Sequence, residues 1–187
     1  MKKRHTLIVY LLVSLAIGFQ SCADRSGLDQ LRVNRAENPL GIDSPQPRFS
    51  WKITSDKRGA AQTAYQILVA SSPDLLVEGK ADMWDSKKVD SDQSIEIPYG
   101  GKNLKSRDKC FWTVKYWDEN GIESDWAKPA MWSMGLLSAQ DWSAQWIGLE
   151  RTVGQEVVRV EFPRLAARML RKQVELDKPV KEAVAYI

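Results

Sequence analysis

Apolar and polar positions alternate with a period of two along the middle of the chain. In Tyr65-Gln66-Ile67-Leu68-Val69 one face carries Tyr65, Ile67 and Val69. In Phe111-Trp112-Thr113-Val114-Lys115-Tyr116-Trp117 the face of Trp112, Val114 and Tyr116 opposes that of Phe111, Thr113 and Lys115. Alternation built from aromatic and β-branched residues predicts strands rather than helices. Asp118-Glu119-Asn120-Gly121 follows the second run, and Asn-Gly readily takes positive φ, so a hairpin tip is expected there. The return strand is expected through Ala130-Met131-Trp132-Ser133-Met134, with earlier strands at Leu31 to Val33, Arg48 to Ile53 and Ser94 to Ile97. Pro39, Pro45, Pro47, Pro98 and Pro129 are read between strands, where a missing N–H harms no ladder. Ser72-Pro73-Asp74-Leu75-Leu76 reads instead as a short helical start, with Ser72 at the cap and Pro73 in the first turn. About seven short strands with regular turns predict an all-β fold, an antiparallel β-sandwich.

The first residues follow another pattern. Lys2, Lys3 and Arg4 precede the apolar run Leu7 to Phe19, which is too short to span a bilayer comfortably. This is the layout of a signal peptide, expected over residues 1–21. Cys22 behind the small Ser21 resembles a bacterial lipoprotein processing site, so Cys22 is the expected lipid-bearing residue. The polar, Gly-containing stretch after it, residues 22–30, reads as a tether. The expected location is the cell envelope, lipid-anchored in the periplasm or on the outer surface, or secreted.

Composition narrows the chemistry. With 187 residues there is room for one domain plus further material, and 43% hydrophobic residues argue against wholesale disorder. Setting aside Lys2, Lys3 and Arg4 leaves the basic residues equal in number to the 24 acidic ones, so the sequence pI of about 8.8 belongs mostly to the leader. No basic field remains to attract nucleic acid. Cys22 and Cys110 are the only cysteines, which excludes a disulfide-stapled fold, and Cys110 within a strand reads as a small buried hydrophobe. The single histidine, His5, lies in the leader, which removes His-based nucleophilic, general-base and metal chemistry from everything after it. Acids at Asp82, Asp85, Asp90 and Asp92, and at Asp118, Glu119, Glu123 and Asp125, read as solvated rims of turns. No catalytic residue, metal site or cofactor is expected. Of the eight tryptophans, Trp51, Trp112 and Trp132 read as core, and Trp126 as a cap on the sandwich. Trp84 and Trp117 are the candidates for stacking on a carbohydrate.

Several stretches carry a resemblance. NPLGIDSPQPRFSW from Asn38, RGAAQTAYQILVASS, MWDSKKVDSD, CFWTVKYWDENGIESDWAKPAMWSMGLL and DWSAQWIG together resemble the N-terminal fibronectin-III-like module of bacterial α-L-rhamnosidases, glycoside hydrolase family 78. The resemblance implies a fibronectin-III- or immunoglobulin-like sandwich over residues 31–148. Two positions depart from the family: Lys87 stands where Gly is common, and Cys110 where Tyr is frequent. Trp142 and Trp146, in DWSAQWIG, correspond to a segment that packs against the next domain. Residues 149–187 resemble a linker and the first strands, MLRKQVEL and VKEAVAYI, of an incomplete second, jelly-roll-like β-domain. Leu170, Arg171, Lys172, Leu176, Lys178, Pro179, Val180, Ala183 and Tyr186 carry that match. The family's catalytic acids lie in a helical barrel further along, and no position here corresponds to them.

Two functions are compatible with this reading. One is the non-catalytic N-terminal fragment of a secreted or lipid-anchored α-L-rhamnosidase, inverting in mechanism and acting on rhamnose-containing glycans; its partner would be the remainder of the enzyme. The other is a free-standing surface sandwich that binds carbohydrate or protein. A tail that begins another domain favours the first.

Overall fold

A computed structural model of the chain describes residues 26–145, 171–181 and 183–185. It divides into two units, one ending at Leu137 and the other starting at Ser138. The first unit holds eight strands. These are β1 (Ser26–Val33), β2 (Arg48–Ser55), β3 (Gln62–Ala70), β4 (Trp84–Asp85), β5 (Val89–Asp90), β6 (Ile97–Pro98), β7 (Lys109–Asp118) and β8 (Ala130–Ser133). They form two antiparallel sheets, β1-β2-β6 and β4-β3-β7-β8, with β5 also pairing with β3. The expected all-β sandwich is the observed one.

The register explains why the alternation was informative. Ile67 lies opposite Val114 and Val69 opposite Trp112 in the β3–β7 ladder, so both apolar rows point the same way. They meet Phe49 and Trp51 of β2 in one core with Val33, Tyr99, Trp132 and Met134. Phe49 sits at its centre, with ring centroids 4.5 Å from Trp112 and 5.4 Å from Trp132. Trp51, Trp112 and Trp132 are all buried, as expected. Asp118–Gly121 forms the anticipated tip: Gly121 has φ of 76°, and its N–H donates to the Asp118 carbonyl. The Asp118 carboxylate accepts the N–H groups of Asn120 and Ile122, which fixes the turn from inside.

Three elements differ from the sequence reading. β1 begins at Ser26, inside the stretch read as a tether, because Leu28 packs against the core and the ladder to β2 extends that far. The strand expected at Ser94 to Ile97 shrinks to Ile97–Pro98, since Glu96 turns into the left-handed region at φ of 57° and breaks the ladder. Pro98 therefore lies in a strand rather than between strands; β6 is an edge strand, where a missing donor is tolerated. The predicted helical start is a single 3-10 turn, Pro73–Leu75, and the Ser72 side chain does not cap it.

In the second unit a 3-10 turn, Ala139–Asp141, is closed by Ser138 and Asp141, each side chain accepting from the other's end of the turn. Residues 171–181 and 183–185 carry no strand, whereas two strands were expected across them. Val174, Leu176, Val180 and Val184 are 57–65% exposed. Strand conformation is held by ladder partners and a covered face, and a lone pair of strands is marginal in water.

Candidate functional site

The outward face of β7 carries the densest set of polar and aromatic side chains in the first unit. Alternation places Thr113, Lys115 and Trp117 there, opposite the core row. Lys115 is almost wholly buried, and its ammonium donates to Glu78 at 2.6 Å and Glu123 at 3.2 Å. The same ammonium lies 5.1 Å from the Trp117 ring centroid and 4.9 Å from that of Trp126. Burial alone would lower the Lys115 pKa, but the hydrogen bonds from the ammonium to Glu78 and Glu123 outweigh it and hold the pKa above the ordinary lysine value. A cation between two indoles and two carboxylates is a lock between strand, loop and hairpin. Both carboxylates are committed to one charge, so the arrangement does not pose an acid opposite a base.

Beside it runs a second polar chain. Gln66 Nε2 donates to Asp85 Oδ1 at 2.8 Å, and Lys87 reaches the same carboxylate through its backbone N–H at 2.9 Å and its ammonium at 2.8 Å. Burial opposes ionisation of Asp85, yet the hydrogen bonds from Lys87 and Gln66 dominate and keep its pKa below the usual value. Lys87 itself is left-handed, with φ of 55°. The bend where the family commonly has Gly is thus retained with a lysine in it.

The carbohydrate candidates are both engaged by protein groups. The half-buried Trp84 ring stacks on Phe49 at 6.0 Å and meets Tyr99 edge-on at 5.5 Å. Gly101 passes so close that an added Cβ would lie 2.5 Å from the Trp84 Cβ. Trp117 is half-buried, with the Lys88 ammonium 4.8 Å from its ring centroid in addition to Lys115. Trp126 is likewise half-buried over Lys115, consistent with a cap. Trp142 is 45% exposed at the end of the 3-10 turn. Cys22 and Trp146 lie outside the described residues. Cys110 is buried, and burial, reinforced by the negative charges of Asp108 and Asp82, pushes its thiol up to about 12. A thiol held protonated in this way is a packing group. Among the described residues no cluster of three or more His, Cys, Asp or Glu side chains is placed to hold a metal ion.

Sequence reasoning missed Lys115 and Gln62 as buried polar groups. The signal for Lys115 was present: a lone charge inside an aromatic strand, two residues from Trp117. Gln62 had no such signal, because its partners come from other parts of the chain.

This geometry describes a scaffold, and comparison with known proteins assigns it. The profile of the family described as Rha78A-like, N-terminal immunoglobulin domain matches residues 28–138. The chain belongs to that family. An α-L-rhamnosidase of Formosa agariphila is 36% identical over 98% of the chain, and another from the same organism is 43% identical over 89%. The chain covers 21% and 18% of these two proteins, about a fifth of their length. Among solved structures, the Streptomyces avermitilis α-L-rhamnosidase complexed with L-rhamnose superimposes with a TM-score of 0.65 and 42% identity, over 67% of this chain and 12% of that one. The enzyme from Dictyoglumus thermophilum gives 0.63 and 35% identity, over 66% of this chain and 14% of its own.

Proposed function

We propose that this chain is the non-catalytic N-terminal sandwich of a lipid-anchored α-L-rhamnosidase that releases rhamnose from glycans. The observation that carries the reading is coverage: the match is confined to about a fifth of relatives named for that activity. The polar groups of the sandwich are tied up in structural pairs such as Lys115 with Glu78 and Glu123. In this reading the partner of the module is the remainder of the enzyme, and the exposed Trp142 packs against it. Catalysis belongs to that remainder.

The test is turnover. The purified chain should release no rhamnose from an aryl α-L-rhamnoside, while the same chain joined to the catalytic region of a Formosa agariphila relative should do so. Hydrolysis by the chain alone, abolished by replacing an acid such as Glu78 or Glu123, would overturn the proposal. Anchoring is tested separately. Cys22→Ala should move the chain out of the detergent phase when it is expressed in a Gram-negative host, and unchanged partitioning would refute the lipid at Cys22.

A further inference from the structure

The outer face of the β1-β2-β6 sheet holds a groove that the reading above does not use. The ladder between β1 and β2 slips by one residue between Asp29 and Arg32, a β-bulge that puts Gln30 in the left-handed region at φ of 51°. Bulges re-aim side chains, and a strained non-glycine residue persists only where its surroundings hold it. Here the bulge turns Gln30 into a cavity of about 340 Å³ that is also lined by Arg32, Arg35, Lys52, Ile95 and Glu96. Gln30 Oε1 is buried there without a hydrogen-bond partner. Such an acceptor costs free energy until a donor arrives.

The rim supplies the opposite character. Arg32 meets Glu37 at 3.4 Å, Arg35 meets Glu96 at 3.0 Å, and Arg48 stands 3.9 Å from the same Glu96. These pairs are largely exposed and weak in water. Lys52, exposed and across the ladder from Asp29, forms no ion pair among the described residues. Ile95 adds an apolar surface that is 63% exposed. The groove therefore offers cationic donors, one unsatisfied acceptor and a patch for C–H groups. Its volume lies at the small end of ligand sites, roughly 300–1,000 Å³.

We infer that this groove binds a single acidic sugar unit, a pyranose bearing a carboxylate or sulfate. Arg32 and Lys52 take the anionic group, Gln30 Oε1 accepts a ring hydroxyl, and Ile95 covers a C–H face. Guanidinium and ammonium groups form their strongest hydrogen bonds with such anions, and only a hydroxyl-bearing body satisfies the glutamine. The inference is independent of the proposed activity, since it concerns binding by the sandwich.

Amide and side-chain NMR titrations of the 187-residue chain test it, with D-glucuronate, glucose 6-sulfate, neutral glucose, inorganic sulfate and a short poly-glutamate peptide as probes. Either acidic sugar or both should shift Gln30, Arg32 and Lys52 in the millimolar range, and which one binds separates carboxylate from sulfate recognition. Neutral glucose and inorganic sulfate should each bind roughly tenfold more weakly, the loss of about one good interaction. Lys52→Ala should weaken both acidic sugars by a similar factor. Gln30→Gly, which relieves the backbone strain and keeps the fold, should erase the preference for sugar over inorganic sulfate. Equal binding of glucose or inorganic sulfate would overturn the inference. So would tighter binding of the acidic peptide at the same residues, which would mark a protein-docking surface instead.

Discussion

The indole N–H of Trp51 donates to the side-chain carbonyl of Gln62 at 3.0 Å, in the interior of the sandwich. Gln62 in turn donates from Nε2 to the carbonyls of Ser91 and Gln93 at 3.1 and 2.9 Å. One amide thus joins β2 of the first sheet, β3 of the second and the loop leading to β6. Gln62→Leu keeps the volume and strands all three partners. Each unsatisfied buried group costs about 1–3 kcal/mol, so this variant should lose roughly 2–4 kcal/mol in urea unfolding. A loss below that of an ordinary surface substitution would show that water replaces the amide.

Lys87 gives a prediction of opposite sign. Its φ of 55° is unfavourable for a residue with a Cβ, and the exposed ion pair to Asp85 offsets only part of that cost. Lys87→Gly should leave the thermal midpoint equal to or above that of the parent. Lys87→Ala retains the strain and loses the pair, so its midpoint should fall below both. An order with Ala above Gly would mean that the bend is unstrained.

Much of this fold was legible because local and global demands agree. Tyr65 to Val69 and Phe111 to Trp117 alternate in sequence, and the observed register lines up those same rows. The hairpin at Asn120-Gly121 was equally plain. What was hidden depends on distant partners: Glu96 takes positive φ while its carboxylate lies between Arg35 and Arg48, and the bulge at Gln30 is defined only against β2. Lys115 looked like a solvated strand residue until Glu78, Glu123, Trp117 and Trp126 were brought around it. Family resemblance assigned the module where periodicity could supply only a sandwich.

The Lys115 lock should be measurable. Glu78 and Glu123 are 51% and 60% exposed, so they return to water readily when the ammonium is removed. Lys115→Met should therefore cost only about 1–2 kcal/mol, mostly from the lost cation–π contacts and ion pairs. The cost should shrink in high salt, because exposed carboxylates are screened. A salt-independent loss would assign the effect to packing alone.

Cys110 sets part of the alkaline limb of stability. Its thiol ionises at about 12 in the folded chain against 9.0 ordinarily, so folding favours the protonated form. A raised pKa contributes stability that is complete below pH 9 and is lost as the pH climbs toward 12. Cys110→Val removes the titrating group from a buried position of similar size. Its stability should decline less steeply than that of the parent between pH 9 and 12. Parallel curves would show that the other alkaline groups, with Tyr99 and Tyr65 also raised by burial, account for the whole limb.

Trp112 and Trp51 are both buried indoles of one core, and they should respond differently to phenylalanine. Trp112 is fully buried beside Phe49, and its Nε1 has no hydrogen-bond partner. Trp51 spends its N–H on Gln62. Replacing either ring by phenyl removes volume, which destabilises through the cavity left behind. For Trp112→Phe that loss is opposed by removal of an unsatisfied donor, so about 1–2 kcal/mol is expected. Trp51→Phe adds the stranded Gln62 carbonyl and should cost about 1 kcal/mol more. Trp112→Ala removes the ring altogether and should cost about 3–5 kcal/mol. Whole domains are stable by only about 5–15 kcal/mol, so this last variant should lie near the edge of folding. Equilibrium unfolding of the three variants decides the order. A Trp112→Phe variant weaker than Trp51→Phe would mean that the Trp112 N–H has a partner, such as an ordered water.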